Sequence, residues 1–248
     1  MIMHDYNPDG EKVVLLLHPM LASGAMMYEL LGRHLGENVR CLAPDFASHG
    51  QELDREFSDA SSEADRIAAY LTEHNITHLD LAYGASLGGV VLTQLLKRNI
   101  SFGTAFFEGT SFFEGAAAMT KIVSAVFLKK HKRAVADHTR AVTAMGQLYG
   151  QQFAEAFADQ FIGMTETSIR NIARSCGDNR HADLSPEEQQ RCVFAYGSKD
   201  MNVGKAKKGC KKFYPNSKFV LWDGFGHCEK ITADTGEYIC MLKGYLEA

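Results

Sequence analysis

The feature that most constrains the fold is the pattern Gly84-x-Ser86-x-Gly88, a serine with a glycine two residues away on either side. Residues 78–83, directly before it, are mostly apolar and have strand character, and Leu87 and Val91 begin a helical spacing after it. A serine at such a strand-to-helix turn adopts a strained backbone conformation that exposes its Oγ. The flanking positions must be small because the turn brings their backbones together. The pattern alone is weak evidence, so the rest of the chain must supply partners for the serine.

Short apolar runs alternate with helical patterns along most of the chain. The runs with strand character are 12–17, 39–42, 78–83, 102–107, 192–196 and 219–222. This alternation predicts an α/β fold, in which a mostly parallel central sheet has helices on both faces.

The alternation is interrupted between residues 109 and 184, where only helical periodicity is found, for example at Ile122 and Val126. We therefore predict a core built from residues 1–108 and 185–248, with residues 109–184 inserted as a helical cap. Ligands of parallel α/β sheets bind at the carboxyl ends of the strands, so we expect the cap to lie over that edge.

Composition excludes several classes of function. A net charge of −4 gives no electrostatic basis for nucleic-acid binding, and the apolar run 13–17 is too short for a signal peptide or a membrane span. The six cysteines form no C-x-x-C pair and show no zinc-ligand spacing with histidine. These features predict a cytoplasmic protein with reduced thiols, no metal, no nucleic-acid partner and no membrane partner.

Two downstream residues have the chemistry that a reactive serine requires. Asp200 lies four residues after the run 192–196, and His227 lies five residues after the run 219–222. Hydrolysis by a serine needs a base for the hydroxyl proton and a carboxylate that orients the base. Because parallel strands end at one edge of a sheet, Ser86, Asp200 and His227 are predicted to share an active site. Taken singly, Asp200 could also be a helix cap, and His227 is one of ten histidines.

With these residues in view, the chain resembles the α/β-hydrolase superfamily over nearly its whole length apart from the cap. The resemblance rests on the glycine–serine pattern, on Gly197-x-x-Asp200 and on Gly224-x-Gly226-His227. It implies that Ser86 is the nucleophile, that His227 is the general base and then the acid, and that Asp200 orients His227. It also implies no cofactor, and an oxyanion hole formed by the backbone N–H groups of Leu87 and Met20.

The resemblance leaves two assignments to be made, the second oxyanion donor and the acid. The family usually has His-Gly in the oxyanion loop, whereas this chain has His18-Pro19. Proline has no N–H, so position 19 cannot donate, and the second donor is assigned to Met20. Glu108, at the end of a predicted strand, is the alternative acid, since some family members place the carboxylate there.

The function implied is that of a metal-free serine hydrolase acting through an acyl-enzyme. Its small-molecule substrate is expected to be a small-to-medium carboxylic ester, thioester or lactone with an apolar acyl part, because the cap is rich in methionine and phenylalanine. One alternative keeps the same three side chains for hydrolysis of a carbon–carbon bond or for a lyase step. Another is a ligand-binding protein that retains the fold without turnover. A fold alone does not distinguish them.

Overall fold

The computed structural model describes residues 1–98, 100–112 and 115–247. Seven strands lie within these residues: β1 (Met3–Tyr6), β2 (Lys12–Leu17), β3 (Val39–Pro44), β4 (His78–Ala85), β5 (Ser101–Glu108), β6 (Cys192–Gly197) and β7 (Lys218–Trp222). The helices of the same residues are α1 (Gly24–Leu30), α2 (Ala60–Glu73), α3 (Leu87–Leu95), α4 (Ala117–Ala136), α5 (His138–Tyr149), α6 (Ala154–Gly163), α7 (Glu166–Gly177), α8 (Pro186–Gln190), α9 (Val203–Phe213), α10 (Lys230–Ala233) and α11 (Thr235–Glu247).

The strands form one sheet in the order β1-β3-β2-β4-β5-β6-β7. All neighbouring strands pair in parallel except β1, which runs antiparallel to β3 at the edge. The register pairs Leu17 with Gly84 and Ala85 with Glu108, so the carboxyl ends of β2, β4 and β5 lie side by side. The predicted fold class is confirmed.

Local sequence signals account for several helix starts. The Ser23 Oγ accepts a hydrogen bond from the Met26 N–H and caps α1. Before α8, Ser185 and Glu188 form a reciprocal capping box, with proline at the first helical position. Apolar side chains of the strands and of helices such as α1, α2 and α3 form two large buried clusters, one on each face of the sheet.

Helices α4–α7 form an insertion between β5 and β6, and the described residues of this segment contain no strand. The insertion is attached to the core by polar side chains. The Ser168 Oγ accepts the Phe57 N–H at 3.0 Å, and the Ser175 Oγ accepts the Ala60 N–H at 3.2 Å, both from α7. Gln160 of α6 makes two hydrogen bonds to the loop after β3: its Oε1 accepts the Gly50 N–H at 2.8 Å, and its Nε2 donates to the Ser48 carbonyl at 2.6 Å. Among the described residues, no helix has the length and apolar content needed to cross a lipid bilayer.

The apolar residues of α4 do not all face the core. Ile122 and Val126, which follow the helical periodicity of the sequence, have exposed fractions of 60% and 48%. The inward face of α4 is instead formed by side chains that include Leu128, His131 and Ala134.

Candidate active site

Ser86 stands at the turn between β4 and α3. Its backbone has φ 49° and ψ −108°, a left-handed conformation that non-glycine residues rarely adopt. Glycine is required on both sides by close approach: a Cβ on Gly84 would lie 2.6 Å from the Gly88 oxygen, and one on Gly88 would lie 2.1 Å from the Leu17 oxygen. The turn therefore holds the Ser86 side chain at the carboxyl edge of the sheet.

The structure brings all three sequence-predicted side chains together. The Ser86 Oγ lies 2.9 Å from His227 Nε2, and His227 Nδ1 lies 2.8 Å from Asp200 Oδ2. Because an ionised carboxylate only accepts hydrogen bonds, Nδ1 carries the proton and Nε2 is free to accept the serine hydroxyl. Two successive hydrogen bonds thus connect the hydroxyl of Ser86, the imidazole of His227 and the carboxylate of Asp200, and we call this arrangement the relay.

Asp200 is buried, and a hydrogen bond from Asn202 fixes its second carboxylate oxygen, Oδ1. Oδ1 accepts the backbone N–H of Asn202 at 2.8 Å, and the Asn202 side-chain amide donates to the Gly109 carbonyl at 3.4 Å. Asp200 therefore presents only Oδ2 to His227. Sequence reasoning missed Asn202, since an asparagine two residues after an aspartate gives no distinctive signal.

The Asp200 and His227 loops are joined by backbone contacts at their bases. The Ser198 N–H donates to the Trp222 carbonyl at 2.8 Å, and the Lys199 N–H donates to the Phe225 carbonyl at 2.9 Å. A Cβ on Gly197 would lie 2.1 Å from the Phe225 oxygen. Glycine at position 197 therefore lets the two loops approach closely enough for Asp200 to reach the imidazole.

The surroundings of His227 act on its pKa in both directions. The charge of a Cys228 thiolate is the largest cause that raises this pKa well above its usual value, the hydrogen bond and charge of Asp200 also raise it, and burial lowers it. Burial, however, raises the pKa of the Cys228 thiol itself, so this group is neutral near pH 7 and contributes little charge. With Cys228 neutral, the Asp200 carboxylate is the group that raises the pKa of His227, and burial opposes it. In hydrolysis the same carboxylate would stabilise the imidazolium that forms after proton transfer.

The structure does not bring the alternative acid, Glu108, to the imidazole. Its buried Oε2 accepts the hydroxyls of Tyr83, at 2.7 Å, and Tyr238, at 2.6 Å. Burial raises the pKa of Glu108, and the two tyrosine hydrogen bonds act in the opposite direction. The Glu108 carboxyl thus links β4, β5 and α11, while Asp200 is bonded to His227.

The loop after β2 orients the predicted oxyanion donor. The Pro19 carbonyl accepts the His18 Nδ1–H at 2.8 Å and the Ala22 N–H at 3.2 Å, while His18 Nε2 accepts the Phe46 N–H at 3.1 Å. In a trans peptide the N–H of Met20 points away from this carbonyl. Within the described part of the chain, no acceptor is hydrogen-bonded to that N–H. Sequence alone could not show that His18 orients this peptide.

Leu87 supplies the other predicted donor. It is the first residue of α3, so its N–H has no acceptor within the helix. The N–H of Ser86, one residue earlier, is used instead to bind the Glu108 carbonyl at 2.7 Å. The amide of Leu87 is thus left available beside the serine.

Helix α7 of the insertion carries the thiol of Cys176. Burial raises the pKa of the Cys176 thiol to about 11, and the charge of His227 and a hydrogen bond with Ser111 act in the opposite direction. The raised pKa keeps Cys176 a neutral thiol near pH 7, so it is not a reactive thiolate. Among the described residues, no group of three or more His, Cys, Asp or Glu side chains could hold a metal ion.

The fold and the relay define the class: a parallel α/β sheet that carries a serine at a strand-to-helix turn, with a histidine and an aspartate on later loops. A sequence model of the alpha/beta hydrolase family matches residues 14–196. The chain belongs to that family.

Solved structures with the same fold have low sequence identity. An esterase from Exiguobacterium antarcticum has a TM-score of 0.75 and 16% identity, with 99% of this chain and 95% of that chain covered. A thermophilic esterase from Thermogutta terrifontis has a TM-score of 0.75 and 14% identity, covering 99% and 92%. MenH from S. aureus has a TM-score of 0.72 and 19% identity, covering 99% and 97%. No curated protein matches the sequence.

Proposed function

We propose that the protein is a serine hydrolase that cleaves a small-to-medium carboxylic ester, thioester or lactone through an acyl-enzyme. The observation that carries this proposal is the relay of Ser86, His227 and Asp200, with successive distances of 2.9 and 2.8 Å. Two proteins of similar fold are called esterases, and their identity to this chain is low. The reaction class therefore rests on the side chains present here.

In the first half of the proposed reaction, the Ser86 Oγ attacks the substrate carbonyl carbon while His227 Nε2 takes the hydroxyl proton. Asp200 stabilises the imidazolium. The negative charge on the tetrahedral oxygen is stabilised by the N–H groups of Leu87 and Met20, each donor being worth about 3–4 kcal/mol in such sites. Collapse of the intermediate transfers the proton from His227 to the leaving alcohol or thiol and leaves an acyl group on Ser86.

In the second half, His227 takes a proton from water as the water attacks the acyl carbonyl. The same two N–H groups stabilise the second oxyanion, and collapse returns the proton to the Ser86 Oγ and releases the acid. No metal or cofactor has a role in these steps. We propose further that residues 109–184 act as a cap over this edge of the sheet, where the charge of His227 acts on the thiol of Cys176 in α7.

The test is labelling of the whole protein with a fluorophosphonate, which forms a stable adduct with an activated serine. Wild type should be labelled, and Ser86→Ala should not. Ser62→Ala, which alters a serine on α2, is the matched control and should be labelled like wild type. Adduct formation on the Ser86→Ala variant would refute the assigned nucleophile.

A panel of p-nitrophenyl esters of increasing chain length then tests the reaction. We expect a rapid burst of nitrophenol as Ser86 is acylated, and a covalent acyl adduct that mass spectrometry locates on Ser86. A lyase using the same side chains would turn over its ketone substrate without this adduct. A ligand-binding protein would give neither labelling nor a burst.

A further inference from the structure

Helix α4 has an outward surface that the fold does not use. We define the α4 face as Lys121, Ile122, Val126, Lys129, Lys130 and Arg133. Within it, Ile122, Val126, Lys129 and Arg133 follow one another at spacings of four, three and four residues, so they form a single row along the helix. Three of the six large hydrophobic side chains that are exposed among the described residues belong to α4: Ile122, Val126 and Val135.

The α4 face is strongly cationic in a protein that is acidic overall. Residues 115–150 contain six Lys or Arg residues and one Asp, whereas the whole chain has a net charge of −4. Lys132, beside the face, lies 3.6 Å from Glu166. The four cations of the α4 face are Lys121, Lys129, Lys130 and Arg133. Within residues 1–98, 100–112 and 115–247, no carboxylate lies within ion-pair distance of any of them.

Packing does not explain the composition of the face. The opposite side of α4 is buried through Ser124, Leu128, His131 and Ala134 and packs on α6 and α7. A surface helix of this kind is normally covered by polar and charged side chains of both signs. Here cations of one sign flank exposed aliphatic groups, and this combination fits a partner that is both anionic and apolar.

We propose that the α4 face docks on an anionic lipid surface. The cations would bind the phosphate groups at the membrane surface, and Ile122 and Val126 would enter the boundary between headgroups and acyl chains. A nucleic acid would satisfy the cations but would leave both aliphatic side chains in water. The sequence-based expectation of no membrane partner came from the lack of a spanning segment, which does not test a helix lying in the plane of the interface.

This inference does not depend on the proposed hydrolase reaction. The measurement is flotation of the whole protein with vesicles of phosphatidylcholine alone or of phosphatidylcholine mixed with phosphatidylglycerol. We expect binding only to the anionic vesicles. Raising the salt from roughly 0.1 M to roughly 1 M, where the Debye length falls from about 10 to about 3 Å, should weaken it. Equal binding to both vesicle types, or no binding to either, would overturn the proposal.

Two double variants locate the surface. Lys129→Glu/Arg133→Glu should lower partitioning onto anionic vesicles by about 10-fold or more, since each cation near such a surface contributes about 1 kcal/mol. Ile122→Ser/Val126→Ser should weaken binding while preserving its salt dependence. Both variants should keep the wild-type melting temperature and p-nitrophenyl acetate turnover, because all four side chains are exposed.

Helix α9 provides the matched control, because it is also lysine-rich. Lys207→Glu/Lys211→Glu makes the same change in net charge at exposed positions of another helix and should leave vesicle binding unchanged. An equal loss in this control would mean that net charge, and not the α4 face, determines binding. Binding to duplex DNA that survives Ile122→Ser/Val126→Ser and competes with vesicles would assign the face to nucleic acid instead. Either result would refute the lipid proposal.

Discussion

The main-chain oxygen of Glu108 lies 2.7 Å from the amide nitrogen of Ser86 and accepts its hydrogen bond. This contact links the end of β5 to the strained turn that carries the serine. The next residue, Gly109, packs closely against the imidazole, because a Cβ on it would lie 2.9 Å from His227 Cε1. The Gly109 carbonyl also accepts the amide of Asn202, which fixes Asp200. Glu108 and Gly109 thus contact Ser86 and His227 directly, and Gly109 contacts Asp200 through Asn202.

Substitution of each carboxyl separates the proposed acid from the alternative one. Asp200→Asn should lower kcat/KM for a p-nitrophenyl ester by about 10³–10⁴-fold, because Nδ1 loses its anionic acceptor and the imidazolium its stabilisation. Glu108→Gln should stay within about 10-fold of wild type, since the glutamine oxygen can still accept both tyrosine hydroxyls. The reverse order of losses would make Glu108 the acid.

The pH profile gives a second readout for the same pair. Only neutral His227 can act as the base, so kcat/KM should rise with pH through the pKa of His227, which Asp200 raises and burial lowers. Removing the Asp200 carboxylate should lower this pKa, and the midpoint of the residual activity should move to lower pH. A midpoint that moves with Glu108→Gln instead would contradict the assignment.

Gly109→Ala should disable the site. The residue has φ 59°, and the added methyl would lie 2.9 Å from both Cys228 Sγ and His227 Cε1. Displacement of the imidazole by even a fraction of an ångström breaks its alignment with Ser86, so we expect a loss of about 10²-fold in kcat. Gly244→Ala on α11, where an added Cβ meets no atom within 4 Å, is the control and should retain full activity. Wild-type turnover by Gly109→Ala would show that this close contact does not position His227.

The strands and the relay could be predicted from sequence because their signals are local. Short, mostly apolar runs mark the strands, and the small residues around Ser86 mark a turn that few other sequences can form. The position of Asp200 and His227 just after strands then placed them at one edge of the sheet. These steps need only periodicity, steric size and the topology of parallel sheets.

The remaining features depend on tertiary contacts. Ile122 and Val126 have the right period for an amphipathic helix, but period alone does not say which side of α4 meets α6 and α7. The orientation of the Pro19 carbonyl by His18 depends on the folding of a loop. Glu108 stands at the position of a possible acid, yet its side chain is bonded to the tyrosines Tyr83 and Tyr238.

The conformation of Ser86 predicts that glycine stabilises this position. Ser86→Ala keeps a side chain at φ 49°, whereas Ser86→Gly removes the steric cost. Although glycine also loses more backbone entropy on folding, we expect Ser86→Gly to have a free energy of unfolding about 1 kcal/mol above that of Ser86→Ala in urea denaturation. At Ser62, within α2, the order should be reversed, since glycine is the poorer helix residue. The same order at both positions would argue against stored strain at the turn.

Two buried imidazoles predict a loss of stability in acid. Burial lowers the pKa of His18 well below 6.5 and that of His49 from 6.5 to about 4. At a pH below 6.5 but above the lowered pKa, each histidine is protonated in the unfolded chain and neutral in the folded chain. The free energy of unfolding therefore falls as pH decreases, by about 1.4 kcal/mol per pH unit for each group. His49→Phe should therefore reduce the slope of the free energy of unfolding between pH 6.5 and 4, measured by urea titration. His34→Gln, at an exposed position, should leave the slope unchanged. If both variants kept the wild-type slope, the neutral buried state of His49 would be disproved.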